Sequence, residues 1–135
     1  LSCESLGTRL RILESVLLGA TCKQTVAFDV LTMSAAFTDA VTVPIDDGQV
    51  ALVEVDVICR SVDGLGRAAF RRIGLFYREG GDVQIQRIWH TIFTERSSPG
   101  FDLDFQLNAE NVRFRVKAAS ASTVSWTGCV SLKYV

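Results

Sequence analysis

The sequence predicts an antiparallel all-β sandwich, jelly-roll-like with seven or eight strands, preceded by one short N-terminal α-helix. Three observations predict it. After Gly19 the apolar residues recur with a period of two, as strands with one buried face require. Short turns rich in Gly, Asn and Asp separate these runs, so consecutive strands are expected to be antiparallel neighbours. Helical spacing is confined to the front of the chain, which leaves no crossover helices for a βαβ fold. The expected division is a helical oligomerisation or attachment segment over 1–21 and a β-sandwich domain over 22–135.

The front segment, "SLGTRLRILESVLLG", has Ser5 or Thr8 as N-cap and Gly19 as C-terminal stop. Leu6, Leu10, Leu13 and Leu17 form a heptad seam, and Ile12, Val16 and Leu18 widen the apolar face beyond it. Two readings stay open: a helix lying on the β-domain, or the end of a stalk that assembles with copies of itself. So short a seam is marginal alone and needs the following domain to hold it together.

The strands follow in order. "TVAFDVLT" places Val26, Phe28 and Val30 on one side, and "VTVPI" is a short strand that Pro44 assigns to a sheet edge or strand end. "VALVEVDVICRSV" turns Ala51, Val53, Val55, Val57 and Cys59 inward. Glu54, Asp56 and Arg60 share the other face with Val50, Leu52 and Ile58. "DGLG" is a hairpin turn in which Gly64 and Gly66 are expected to supply positive φ. "AAFRRIGLFYRE" returns, with Ile73, Leu75 and Tyr77 alternating against Arg72, Gly74 and Arg78; Gly80 and Gly81 then turn the chain. "VQIQRIWHTIF" is read as one strand with Val83, Ile85, Trp89 and Phe93 on one face, and "TERSSPG" is a loop.

The clearest hairpin comes next. "FDLDFQL" puts Phe101, Leu103, Phe105 and Leu107 inward, "NAEN" turns, and "VRFRVKA" puts Val112, Phe114, Val116 and Ala118 inward. If Leu107 faces Val112, Asp104 lies opposite Arg115 and Asp102 opposite Lys117, charge pairs that fix register. The closing "VSWTGCVSLKYV" alternates Val124, Trp126, Gly128, Val130, Leu132 and Tyr134 against Ser125, Thr127, Cys129, Ser131 and Lys133. It is expected inside a sheet or at a subunit interface. Phe105, Phe114, Trp126 and Tyr134 are the expected aromatic core of the sheets.

With 135 residues the chain has enough surface to bury for a real core. Fourteen basic and fifteen acidic residues give a net charge of -1, so neither nucleic acid nor an anionic membrane is an expected partner. Apolar runs are too short or too charged for membrane insertion. Glu14 interrupts the apolar run after Arg9 and Arg11, so no secretory leader is expected, and a chain beginning at Leu1 is expected to be trimmed or preceded by more residues.

Cys3, Cys22, Cys59 and Cys129 lack zinc-ligand spacing and are expected to be reduced, although four thiols allow two disulfides in three connectivities. His90 is the one histidine, expected to be a half-buried, hydrogen-bonded side chain sharing a face with Ile88 and Ile92. G-x-S-x-G, Walker A and H-E-x-x-H are absent. Asp102 and Asp104 face a basic strand, which favours a structural ion pair over general acid–base catalysis, and Asp46 and Asp47 beside Gly48 read as an ordinary turn, with a weak calcium site as the alternative. Arg67, Arg71, Arg72 and Arg78, interleaved with Phe70, Phe76 and Tyr77, read as a solvated face or subunit contact in preference to a nucleic-acid face, because acidic residues elsewhere balance them. No catalytic residue, metal site or cofactor is expected, and the chain is expected not to be an enzyme.

"VRFRVKAASASTVSWTGCVSLKYV" resembles the carboxyl-terminal part of small β-proteins encoded among tailed-bacteriophage structural genes. Val112, Arg113 and Val116 match the first strand of that pattern, Ala118 to Ser122 its small-residue link, and Thr123, Trp126 and Val130 its last strand. "RRIGLFYREGGDVQI" has the same character. The link here lacks the glycine that the family often carries. The resemblance implies a virion component, a tail-fibre module or capsid decoration, made in the host cytoplasm. Its implied partners are its own copies and other virion proteins. A homotrimer with Leu6, Leu10, Leu13 and Leu17 near the axis is expected. The alternative is a lectin-like module that binds a host-surface glycan or receptor.

Overall fold

The structure, a computed structural model, describes residues 22–135. The front segment, with Cys3 and the Leu6–Leu10–Leu13–Leu17 seam, lies outside the described residues. Among the described residues all regular structure is β. The strands are β1 (Cys22–Thr32), β2 (Thr38–Pro44), β3 (Val50–Ser61), β4 (Arg67–Tyr77), β5 (Gln84–Ile85), β6 (His90–Arg96), β7 (Asp102–Asn108), β8 (Asn111–Lys117) and β9 (Val124–Tyr134). Every pairing is antiparallel.

Two sheets form. One runs β1-β9-β3-β4, with β5 and β6 both pairing β4; the other is β2-β8-β7. β9 thus lies between β1 and β3, with Val130 facing Val26 on one side and Val55 on the other. Pro44 ends β2 at the edge of the smaller sheet, where its missing N–H breaks no ladder bond.

The inner faces meet through aromatic rings. Phe76 of β4 packs edge-on against Phe105 and Phe114, with ring centres 5.3 and 6.2 Å apart. Trp89 packs on the same two rings at 4.7 and 6.0 Å, and Phe101 meets Trp126 at 6.2 Å. Ala51, Val53, Val55, Val57 and Cys59 are buried from β3, and Val124, Trp126, Val130, Leu132 and Tyr134 from β9. Phe114 is buried as well, while Phe105 is half-buried against the core. The Trp126 indole N–H donates to Thr32 Oγ1 at 3.0 Å, which joins β9 to β1 inside the core. In the β7–β8 hairpin Leu107 faces Val112, the register the charge pattern predicts.

Four expectations are corrected. Among the described residues nine strands replace seven or eight, because residues 83–96 make two strands: Arg87 has a φ of 65°, which breaks the pleat between β5 and β6. The inward face of β4 is Ala68, Phe70, Arg72, Gly74 and Phe76, and Leu75 is exposed. Phe93 points to solvent, out of the row that holds Val83 and Trp89. Gly64 has the positive φ that its turn needs, at 78°, whereas Gly66 does not. Gly66 is required for space: a Cβ there would stand 2.8 Å from Phe101 Cζ.

Candidate functional site

Strand alternation leaves one broad face of the larger sheet without a covering layer among the described residues. Five rows of outward residues cross it, read through the strand registers; the outer two are Lys23, Lys133, Leu52 and Leu75, and Leu31, Ser125, Arg60 and Arg67, and the middle three follow. One is Asp29, Thr127, Ile58, Ala69 and Glu95; the next is Ala27, Cys129, Asp56, Arg71 and Phe93; the third is Thr25, Ser131, Glu54, Ile73 and His90. A depression of about 770 Å³ lies over the first two of these middle rows, lined among others by Ile58, Ile92, Phe93, Thr127 and Cys129. Ile58 is 61% exposed, Ile92 50% and Phe93 49%. Solvated faces of antiparallel sheets are commonly polar, and Ile58, Ile92 and Phe93 depart from that alternation.

The geometry of β6 explains the cluster. Arg71 pairs with Phe93 and Arg72 with Thr91, so Ile92 is an extra residue in the ladder. Such a bulge re-aims side chains, and Ile92 and Phe93 both reach solvent. His90 is exposed on the same strand, a correction to the half-buried position expected for it.

Ion pairs border the depression. The Arg71 Nε–H donates to Asp56, and Glu54 lies 3.5 Å from the same nitrogen. The hydrogen bond to Asp56, then its charge, holds the guanidinium above its ordinary pKa. The Thr127 hydroxyl donates to Asp29 at 2.7 Å. Cys129 is half-buried with a free thiol, while Cys59, on the inner face, is buried and also free.

The sequence groups Arg67, Arg71, Arg72 and Arg78 together; the fold keeps Arg67 and Arg71 on the outward face of β4 and separates Arg72 and Arg78 from them. Arg71 is outward in its acidic pair. Arg78 donates from Nε to Gly81 O at 2.7 Å and lies 3.7 Å from Glu110. Arg72 is turned inward, its guanidinium 5.1 Å from the Phe70 ring centre and 5.6 Å from that of Trp89. Burial pulls its pKa below the ordinary value, and Arg96 acts the same way against the pull of Asp102. Arg72 therefore belongs to the space between the sheets, where ring faces take the place of a carboxylate.

Two further carboxylates hold the fold together. Asp104 accepts two hydrogen bonds from Arg115, at 3.0 and 2.7 Å, across the β7–β8 pair. Asp47 Oδ1 accepts from the Gly80 N–H at 2.6 Å, tying two turns together. No group of three or more His, Cys, Asp or Glu side chains suited to a metal ion occurs among the described residues. No helix among them is long and apolar enough to cross a membrane. The apolar outer face was only partly visible in the sequence. Alternation places Ile58 outward and Phe93 inward, because the bulge at Ile92 leaves no mark in the residue pattern.

No family model matches the chain, and no curated protein matches it. Two solved structures align with it. The tailspike protein of Acinetobacter baumannii phage AM24 aligns with 84% of this chain and 26% of its own length, at a TM-score of 0.51 and 7% identity. Tailspike gp49 from Acinetobacter baumannii bacteriophage Fri1, a capsular polysaccharide depolymerase, aligns with 84% of this chain and 19% of its own, at a TM-score of 0.45 and 7% identity. This chain thus spans well under half of either protein. The expectation that the chain is not an enzyme is corrected here: the Fri1 protein is an enzyme, and that expectation is withdrawn.

Proposed function

We propose that the chain is a structural part of a bacteriophage virion, a fibre module or capsid decoration that forms a symmetric homotrimer and attaches to other virion proteins. The observation that carries this reading is the fold held in common with the AM24 tailspike over 84% of the chain. Two others support it. The closing motif resembles phage structural proteins, and the outer face carries Ile58, Ile92 and Phe93 in the open, as a surface made for contact does. In this reading the Leu6–Leu10–Leu13–Leu17 seam lies near the trimer axis and residues 22–135 are displayed around it.

The test has two parts. Sedimentation equilibrium of the full chain should give three times the 14.8 kDa chain mass; a monomer at high concentration would remove the trimer. Mass spectrometry of particles purified from a culture carrying the gene should find peptides of this chain, and their absence would remove the virion role. A second reading, a module that binds host-surface glycans, is favoured by Phe93 standing exposed on the rows that carry Asp56 and Arg71. Specific binding on a glycan array, lost in Phe93→Ala, would support it.

A further inference from the structure

We propose that Arg60 and Arg67 form a binding site for a single oxyanion, a carboxylate or phosphate group, at one end of the outer face of the larger sheet. The site does not depend on the virion reading.

Strand register sets the two guanidinium groups side by side. Arg60 of β3 faces Arg67 of β4. The Ser61 N–H donates to Gly66 O at 2.8 Å, while Arg67 O is turned to the other side and accepts from the Ser97 N–H at 2.9 Å. Hydrogen-bonded and non-hydrogen-bonded pairs alternate along an antiparallel ladder, so Arg60–Arg67 is a non-hydrogen-bonded pair. In such a pair the Cα atoms stand about 4.5 Å apart and the side chains are at their closest. Both residues are exposed. Like charges directly opposite each other destabilise a sheet.

No neighbour relieves that repulsion among the described residues. Glu54 and Asp56 lie with Arg71, and Asp29 accepts from the Thr127 hydroxyl. Asp63, in the adjoining turn, accepts from Ser61 Oγ and from the Leu65 N–H. Glu95 stands one row away and closes an ion pair with neither arginine.

The flanking residues add donors. Ser125 of β9 is exposed beside Arg60, and Ser97 lies beside Arg67. Ser97 Oγ accepts from the Arg67 N–H at 3.0 Å, which leaves its hydroxyl hydrogen to donate elsewhere. Two guanidinium groups between two hydroxyls suit an oxyanion, because planar N–H forks match its oxygens. Lys23 and Lys133 make a second like pair at the far end of the face, but Leu52 and Leu75 complete that row and offer no side-chain donor. A depression of about 320 Å³ opens beside the arginines, lined among others by Arg67, Glu95, Arg96 and Ser97. Glu95 there repels a highly charged ligand, which selects one carboxylate or phosphate group over a polyanion.

The full chain, isotope-labelled, is titrated with sodium acetate and separately with sodium phosphate, against sodium chloride at equal ionic strength. Arginine Nε–H resonances are followed by nuclear magnetic resonance. Those of Arg60 and Arg67 should shift together and saturate with acetate or phosphate, while Arg71 and Arg115, held in ion pairs, should stay in place. The oxyanion that saturates at the lower concentration names the source. In Arg67→Gln, the Arg60 resonance should need about tenfold more of it to reach half its shift, as the loss of a charged hydrogen-bond donor predicts. Shifts no different from those in chloride, or an Arg60 response unchanged by Arg67→Gln, overturn the proposal. A second measurement reads the unmatched charge. At low salt with neither oxyanion added, Arg60→Gln should melt about 1–4 °C above the native chain, since it removes the repulsion. Added acetate or phosphate should narrow that gap by stabilising the native chain alone. A variant that melts below the native chain at low salt overturns the unmatched pair and the site with it.

Discussion

At the scale of single residues, the core is most sensitive where backbone approaches backbone. A Cβ on Gly128 would stand 2.3 Å from Asp56 O, 2.7 Å from Phe28 Cζ and 3.0 Å from Val57 Cα. Two of those neighbours are main chain of β3 and cannot swing away. Gly128→Ala is therefore expected to cost at least the ~1–3 kcal/mol of ordinary overpacking, read as a drop in urea midpoint or as failure to fold. Thr32→Val removes the acceptor of the buried Trp126 indole N–H. Leaving that donor unpaired should cost ~1–3 kcal/mol, while Thr32→Ser, which keeps an acceptor, should cost less.

Two buried acids set a limit at high pH. Burial pushes the Cys59 thiol up to about 11 from 9.0, against the Ala68 backbone hydrogen bond. Burial, helped by Asp46, pushes the Tyr134 phenol up to about 12 from 10.0. Both are neutral in the fold and ionise more readily when unfolded. Their contribution is complete below the lower values and lost as pH rises from 9 towards 12. The urea midpoint should fall over that interval, and Cys59→Val with Tyr134→Phe should flatten the fall. Among the described residues the Tyr134 hydroxyl is buried without a hydrogen-bond partner, so Tyr134→Phe is expected to be neutral or stabilising at pH 7.

At the scale of elements, what could be read from the residues depended on whether charge marked the outward face. The β7–β8 hairpin was legible because Asp102, Asp104, Arg113, Arg115 and Lys117 all alternate with apolar residues, and one register pairs opposite charges. β4 was not, because Arg72 lies on the inward side and Leu75 and Ile73 on the outward one. Ring faces that shelter a guanidinium come from Phe70 and Trp89, and Trp89 is on another segment. Local pattern cannot report that. The break between β5 and β6 was hidden for a related reason: Arg87 adopts positive φ, which residue type does not announce. The hairpin supplies the test at this scale. Asp104→Arg or Arg115→Asp alone sets like charges face to face, whereas the two together restore the pair in reverse. The double variant should melt closer to the original chain than either single variant does. Equal and additive losses would show that the pair does not couple the strands.

Viewed as a whole, the molecule has two sheets locked by one aromatic cluster and a larger sheet whose far side is open among the described residues. The aromatic and β-branched rows were readable from alternation; the open apolar face was not, since it depends on where the bulge in β6 falls. Assembly is the matching test. Deleting residues 1–19 removes the leucine seam but none of the nine strands, so near-ultraviolet circular dichroism should persist while the sedimenting mass falls to that of a monomer. An unchanged mass would show that the copies meet elsewhere. Deleting 124–135 removes the strand between β1 and β3 and should abolish folding altogether.

That placement of β9 has a consequence for synthesis. Of the nine strands it is the last to leave the ribosome, yet the first strand has no other hydrogen-bonded partner among them. β1 must wait while every strand between is made, several seconds at about 5–20 residues per second. A product cut short anywhere before Val124 leaves the edges of β1 and β3 both unpaired, the kind of exposed edge on which chains aggregate or are degraded. The larger sheet therefore closes only when synthesis has carried the chain through β9.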